Sequence, residues 1–111
     1  MKKPDILRRK EDFDALYRKG KSAGSRYVVV LCLKNDLDFN RKAFLASKKV
    51  GNSVSRNRAR RLMKEAFRAT EAALPTGYDI LLIARNTIAD AKCDDVVKSL
   101  KNAYKRAGLI K

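Results

Sequence analysis

Three short apolar runs predict the strands of a small β-sheet. Residues 26–33 and 78–85 are rich in β-branched side chains and are apolar at odd and even positions alike, a pattern typical of strands buried on both faces. Residues 42–47 form a shorter run after a polar turn at residues 35–40, so we expect this run to pair with the first as a hairpin.

A first helix is predicted before these strands, at residues 10–19. Phe13, Leu16 and Tyr17 recur at helical spacing, with acids early in the segment and bases late. Gly20 follows directly, and we expect it to end this helix in the left-handed conformation.

Two further helices flank the last strand. The second is expected to begin with Ser53 or Ser55 as its N-cap and to run to about residue 73, where a Leu-Pro-Thr-Gly sequence stops it. The third is expected to begin at Asp94 or Asp95. Its apolar stripe consists of Val97, Leu100, Tyr104 and Ala107.

The order helix, strands, helix, strand, helix in 111 residues predicts one α+β domain, residues 1–111. Residues 1–9 are basic and contain Pro4, which predicts a flexible arm. Cys32 and Cys93 follow no secretory signal, so we expect two reduced thiols and a cytoplasmic protein. Apolar runs stay well short of the roughly 18 residues that span a bilayer.

Charge limits the classes of function. The chain has 27 Lys and Arg against 12 Asp and Glu, a net charge of +15, and no histidine. Such an excess indicates a polyanionic partner, and nucleic acid is favoured over an anionic membrane surface. The lack of histidine removes the commonest proton carrier and metal ligand, which argues against a self-contained enzyme.

The second predicted helix separates apolar from basic positions. At 100° per residue, one side carries Ala59, Leu62, Met63, Ala66 and Thr70. The opposite side carries Asn57, Arg61, Lys64 and Arg68, flanked by Arg58 and Arg60, with Arg56 nearer the apolar border.

A solvated helix face is the alternative interpretation of this basic side. Solvated faces usually mix charge signs, because like charges at i,i+4 repel each other. Residues 41–68 contain ten Lys or Arg and one acid, Glu65, so this segment carries +9 of the +15. Arginine outnumbers lysine here, and its planar fork suits phosphate contacts. The apolar side is alanine-rich, which suits a protein core better than insertion into a membrane.

This segment, SKKVGNSVSRNRARRLMKEAF, resembles the signature of the bacterial ribonuclease P protein subunit, whose hallmark is an Arg-Asn-Arg helix. The segments KEDFDALYRKGKS, RYVVVLCL and YDILLIAR are similar to that family's first helix and strands, in the same order. The resemblance implies an α+β two-layer sandwich like a ribosomal protein domain. It also implies a left-handed β-α-β crossover, against the usual hand.

The resemblance further implies a function. Such a subunit binds a catalytic RNA and the 5′ leader of precursor tRNA, and the RNA with its Mg²⁺ ions removes the leader by endonucleolytic hydrolysis. We therefore expect Mg²⁺ to be bound mainly by RNA, and no membrane or obligate protein partner. The RNA-binding positions implied are Lys48, Lys49, Arg56, Asn57, Arg58, Arg60, Arg61, Lys64 and Arg68.

A leader-binding cleft between the first helix and the sheet is also implied. Phe13 and Tyr17 match its aromatic positions, and Ser47 matches the basic turn before the Arg-Asn-Arg helix. Leu31 stands where some relatives carry an aromatic residue, and its neighbour Val28 is likewise aliphatic. Phe13 and Tyr17 equally fit a core role, because they lie at core spacing on an amphipathic helix.

Two other functions remain open at the level of sequence. Basic composition alone equally suits a ribosomal or general RNA-binding protein. A metal-dependent ribonuclease would need clustered carboxylates, and the densest cluster is Glu11, Asp12 and Asp14. These acids suit the positive end of the first helix instead, so we expect no catalytic residue and no metal ligand in the protein itself.

Overall fold

Four strands and three α-helices are found in residues 5–111, the part of the chain that this computed structural model describes. In chain order they are α1 (Lys10–Lys19), β1 (Lys21–Gly24), β2 (Val28–Lys34), β3 (Arg41–Leu45), α2 (Ser53–Thr70), β4 (Tyr78–Ala84) and α3 (Cys93–Ala107). Short 3₁₀ helices follow α2 (Glu71–Ala73) and β4 (Asn86–Asp90).

The sheet has the strand order β1-β2-β4-β3. The β2 and β4 strands are antiparallel, with Val28 opposite Ala84, and β3 runs parallel to β4, with Arg41 opposite Asp79. The predicted hairpin between β2 and β3 is therefore wrong. The more apolar β4 takes the place between them, because a central strand is covered on both faces, whereas β3 begins with two cations.

Apolar side chains pack on both faces of the sheet, which confirms the α+β class. Val28, Val30 and Cys32 face α2 and α3 in the larger core, whereas Leu31 and Leu81 face α1 in the smaller one. Side chains alternate between faces along a strand, so β2 and β4 supply both cores. The α2 helix makes the connection between parallel β3 and β4, and its left-handed crossover stays a prediction.

Gly20 ends α1 in an extended conformation, with φ −70° and ψ 157°, so the predicted left-handed cap is wrong. The chain passes directly into β1, and a Cβ on Gly20 would lie 2.5 Å from the carbonyl oxygen of Leu16. Glycine is needed here for close backbone approach rather than for a positive φ.

The bounds of the other two helices differ slightly from those predicted. Asn52, not a serine, caps α2, and its Oδ1 accepts the N–H of Ser55 at 3.0 Å. The α-helix ends at Thr70, and the 3₁₀ turn extends to Ala73. The α3 helix begins at Cys93, and the Asp95 carboxylate accepts the backbone N–H of Lys92. Of the predicted α3 stripe, Val97 is half-buried and the others are buried.

The segment before α1 lies on the edge of the sheet. Ile6 forms a bridge with Lys42, and Leu7 donates its N–H to the Lys42 carbonyl at 2.8 Å. The Lys42 N–H in turn bonds to the carbonyl of Asp5 at 2.8 Å. Residues 5–7 of the predicted arm are therefore paired with the sheet. Residues 1–4 lie outside the described part, and the flexibility of residues 1–9 stays a prediction.

Within residues 5–111, none of the helices combines the length and the apolar character that crossing a bilayer requires.

Candidate nucleic-acid interface

The α2 helix has one buried side and one basic side, as its sequence predicts. Ala59, Met63 and Ala66 are almost completely buried, together with Phe67, which meets Phe44 edge to face at 5.7 Å. The opposite side is exposed; we call it the α2 ridge, and it consists of Asn57, Arg61, Lys64 and Arg68. The buried side fixes the orientation of the ridge on the sheet.

The cations of the α2 ridge have no carboxylate partner among residues 5–111. The ion pairs found there join Arg41 to Asp12 and Asp79, and Lys42 to Asp5 and Glu71. Glu65, the one acid in residues 41–68, lies near Cys93 on α3, where it adds to burial in raising the pKa of that thiol. The ridge is thus a field of unneutralised positive charge.

Three other arginines of α2 are held by contacts within the protein. Arg58 donates from Nη1 to the Ala89 carbonyl at 2.7 Å and from Nη2 to the Ala91 carbonyl at 2.9 Å. Arg56 bonds to the Gly51 carbonyl, and Arg60 donates to Asn57 Oδ1 at 2.9 Å. The Arg-Asn-Arg triplet therefore also fixes structure, which the helical pattern alone did not indicate.

The turn before α2 presents two lysines at the amino end of the helix. Ser47, Lys48 and Lys49 are exposed, and Ser47 Oγ accepts the N–H of Lys49 at 3.3 Å. Val50 is buried and anchors the turn. Gly51 has φ 142°, which a residue with a Cβ rarely adopts. These positive side chains therefore lie next to the helix N-terminus, whose dipole also attracts anions.

The predicted leader residues divide between the two faces of the sheet. Phe13 is half-buried against the α1 core, Leu31 lies beneath it with 7% exposure, and Tyr17 is 55% exposed. Val28 is fully buried in the core on the opposite face, so its assignment to the cleft is wrong. Alternation along β2 puts Val29 and Leu33 beside Leu31 instead, and both are half-buried.

A groove joins the α1 face to the basic helix. It encloses about 280 Å³, with Phe13 on one wall and Arg60 and Lys64 on the other. Its floor is β3 and its end is closed by Ile6 and Leu7. These residues are far apart in the sequence, and no pattern along the chain indicates that β3 lies at the sheet edge between α1 and α2.

One of the acidic residues of α1, Asp12, is paired within the fold. Asp12 Oδ2 lies 3.4 Å from Arg41 Nη1, so one of its carboxylate oxygens faces a cation. In the described part of the chain, no group of three or more His, Cys, Asp or Glu could hold a metal ion. Binding of Mg²⁺ mainly by the RNA stays a prediction.

Comparison with known proteins gives a consistent result over the whole chain. The sequence model of the family described as Ribonuclease P matches residues 1–108. The ribonuclease P protein component of Clostridioides difficile is 43% identical over 104 residues, which is 93% of this chain and 91% of that protein. That of Alkaliphilus oremlandii is 39% identical over 110 residues, or 99% and 96% of the two chains.

Solved structures have the same fold. The Staphylococcus aureus RNase P protein superposes with a TM-score of 0.85 and 31% identity, covering 98% of this chain and all of that one. The Thermotoga maritima RNase P protein gives a TM-score of 0.81 and 32% identity, covering 91% and 96%. From this agreement of sequence, fold and basic helix, the chain belongs to the ribonuclease P protein component family, the protein subunits of an RNA-based endoribonuclease.

Proposed function

We propose that the α2 ridge and the lysine turn before it bind phosphates of the catalytic RNA. The observation that supports this most directly is the unequal pairing of cations. Arg41 and Lys42, which are half-buried, have carboxylate partners, whereas the exposed Arg61, Lys64 and Arg68 have none among the described residues. Phosphate neutralisation by such side chains releases counterions and gives strong, salt-dependent affinity for RNA.

The groove between α1 and β3 holds the 5′ leader of precursor tRNA in this proposal. Phe13 on the wall of the groove offers a ring face on which a base can stack, and the exposed Tyr17, one turn further along α1, offers a second. Leu31 and its half-buried neighbours on β2 extend this surface as an aliphatic patch beside α1. Arg60 and Lys64 on the far wall face the leader backbone. Ser47, in the turn before α2, is a further contact to the leader. Such a surface can bind leaders of many different sequences, because every base has a ring face and every nucleotide has a phosphate.

Hydrolysis of the leader is assigned to the RNA and its Mg²⁺ ions. No group of three or more His, Cys, Asp or Glu among the described residues could hold a metal ion, and the Asp12 carboxylate already contacts Arg41. The protein contributes by holding substrate and catalytic RNA together. We place the complex in the cytoplasm, with no membrane or obligate protein partner; the free thiols of Cys32 and Cys93 suit a reducing compartment.

Reconstitution with the cognate RNA at low Mg²⁺ concentration tests this function. Adding the protein should increase cleavage of precursor tRNA and give a single 5′ leader product. The Arg61→Ala/Lys64→Ala double variant should need several-fold more protein for the same gain. Lys101→Ala/Lys105→Ala, which removes two exposed charges from α3, is the matched control and should behave as the wild type.

The other candidate functions give different outcomes in the same assay. A ribosomal or general RNA-binding protein would bind the RNA without increasing leader removal. A self-sufficient ribonuclease would release the leader without the catalytic RNA. One solved relative is a Staphylococcus aureus RNase P protein mutant with defective mRNA degradation activity, so the protein-alone reaction is also measured on an unrelated transcript.

A further inference from the structure

Three arginines converge on one small site at the β1 edge of the sheet. Arg26, Arg85 and Arg106, together with Asn102, line a polar pocket of about 410 Å³ over the Gly24-Ser25 backbone. Their side chains come from three separate elements: the β1–β2 turn, the end of β4 and the last turn of α3. The sequence separates these residues widely, and only the fold brings them together.

Each guanidinium is oriented but keeps donors for a ligand. Arg85 Nη1 donates to the Ser25 carbonyl at 3.0 Å, and Arg106 Nη1 donates to the Gly24 carbonyl at 3.3 Å. Arg26 lies over the ring of Tyr27, with its guanidinium carbon 5.4 Å from the ring centroid. A guanidinium carries five N–H donors, so each of these contacts leaves most of them available.

The backbone beneath the three arginines is firmly held. Ser25 donates its N–H to the Val28 carbonyl at 2.9 Å, and Tyr27 donates its N–H to Ser99 Oγ at 3.0 Å. Ser99 itself is only 6% exposed, and the N–H of Arg85 bonds to the Tyr27 carbonyl at 2.9 Å. A site on such a platform loses little conformational entropy when it binds a ligand.

No carboxylate neutralises this cluster within residues 5–111, since the ion pairs found there involve Arg41 and Lys42 alone as cations. In the adjoining groove along α3, Asp95 accepts the Lys92 N–H, and Lys98 adds another positive charge. Three unpaired arginines at one point repel each other, so this arrangement favours an anion between them.

The site lies at the same end of the sheet as the turn before α2. The parallel strands β3 and β4 both end there, at Leu45 and Ala84, and β2 begins there at Val28, opposite Ala84. With neighbouring strands about 4.8 Å apart, the β1 edge is on the order of 15 Å from the β3 edge. Arg58, bound to the Ala89 and Ala91 carbonyls, lies near this end as well.

We infer that Arg26, Arg85 and Arg106 bind a phosphodiester of RNA, as a second contact separated from the α2 ridge by the width of the sheet. This inference rests on the proposed function, since it needs the protein to be seated on RNA. Planar guanidinium groups suit phosphate better than a lysine cluster would, because two N–H groups can bind two phosphate oxygens at once.

Charge-removal variants in the reconstituted holoenzyme test the inference. Arg26→Gln is the cleanest change, because no hydrogen bond joins the Arg26 side chain to the backbone of residues 5–111; Arg106→Gln is the second. Lys101→Gln, from the exposed side of α3, is the matched control. Affinity for the catalytic RNA is measured over a range of salt concentrations, and affinity of the holoenzyme for precursor and mature tRNA is measured separately.

Each cluster variant should weaken one RNA interaction about threefold to tenfold and reduce its salt slope by about 0.7–0.9, the value for one phosphate. A loss confined to the catalytic RNA assigns the phosphate to that RNA, and a loss confined to tRNA assigns it to the substrate. Affinities and slopes equal to those of Lys101→Gln would overturn the inference. Arg61→Ala, measured in parallel, shows whether the α2 ridge still binds RNA in that case.

Discussion

Arg41 and Asp79 join the parallel strands β3 and β4 through two short hydrogen bonds. Arg41 Nε donates to Asp79 Oδ1 at 2.8 Å, and Arg41 Nη2 donates to Asp79 Oδ2 at 2.7 Å. Asp79 is 5% exposed and also accepts from Asn35 Nδ2 at 3.0 Å. The pair thus fixes the edge strand that forms the floor of the groove between α1 and α2.

Replacing Asp79 with Asn should lower the free energy of unfolding by about 3 kcal/mol, because it leaves the partly buried Arg41 with Asp12 as its remaining counter-charge. Denaturant unfolding measures the loss. Asp38→Asn, an exposed charge change in the β2–β3 loop, is the control. Equal stability of the two variants would show that the ion pair contributes nothing to the fold.

Substitution of Arg58 and of Arg61 should distinguish an arginine that also stabilises the fold from one that only binds RNA. Arg58→Ala should lose about 1–2 kcal/mol of stability, because two backbone carbonyls lose a charged donor, and should also weaken RNA binding. Arg61→Ala should keep full stability and reduce the salt slope of catalytic-RNA binding by about one phosphate.

The Arg58→Lys variant checks this separation. It keeps the positive charge, but a single ammonium cannot reproduce the planar fork that reaches Ala89 and Ala91 together. We expect a stability loss like that of Arg58→Ala with a smaller change of salt slope. A salt slope unchanged in Arg61→Ala and Arg58→Ala alike would contradict the assignment of this helix to RNA.

Tyr17→Ala should weaken binding of precursor tRNA more than that of mature tRNA, by about 1–3 kcal/mol if one base is stacked. The ring is 55% exposed, so the fold should keep its stability. Phe13→Leu retains most of the apolar volume of a half-buried position and should show the same preference for precursor. Equal losses of affinity for precursor and mature tRNA would indicate that these residues have a purely structural role.

Tyr104 should make the protein sensitive to alkali. Burial raises the pKa of its phenol well above the usual value of 10.0, opposed in part by its hydrogen bond with Thr70. The native state therefore keeps a proton that the unfolded chain releases above pH 10. The stabilisation is complete below that pH and falls by about 1.4 kcal/mol per pH unit above it, until the native phenol ionises.

The Tyr104→Phe variant removes this linkage. Between pH 9 and 11.5, its unfolding free energy should decline less steeply than that of the wild type, by about 1.4 kcal/mol per pH unit at the upper end. The two proteins differ only at this residue, so the difference isolates Tyr104. Parallel declines would mean that the phenol binds its proton equally in the native and unfolded states, so that burial does not raise its pKa.

Helices were predictable from the periodic spacing of their apolar residues, and the central strands from their continuous apolar runs. The α2 helix has its apolar and basic sides where the spacing of alanine and arginine predicts them, and β2 and β4 are buried on both faces. The strand β1 was missed because Lys21–Gly24 has one buried side chain, Ala23, and is held by pairing with β2 rather than by its own composition.

The pairing of strands and the contacts between side chains were not predictable from the sequence pattern alone. Adjacency in the chain suggested that β2 and β3 pair, whereas burial of β4 decides the strand order. Val28 lies outside the cleft because side chains alternate between the faces of a strand. Val28 and Leu31 are three positions apart on β2, so they face opposite sides of the sheet. The bonds of Arg58 depend on the carbonyls of Ala89 and Ala91, which lie 31 and 33 residues further along the chain.

The pairing of Asp5–Leu7 with Lys42 limits where the protein can be shortened and where a tag can be attached. These residues cover the outer rim of β3 with main-chain hydrogen bonds, and without them that rim would offer free N–H and C=O groups to another molecule. A shortened protein starting at Arg8 should therefore self-associate at high concentration through strand addition, while a tag joined by a flexible linker ahead of Asp5 leaves the rim covered.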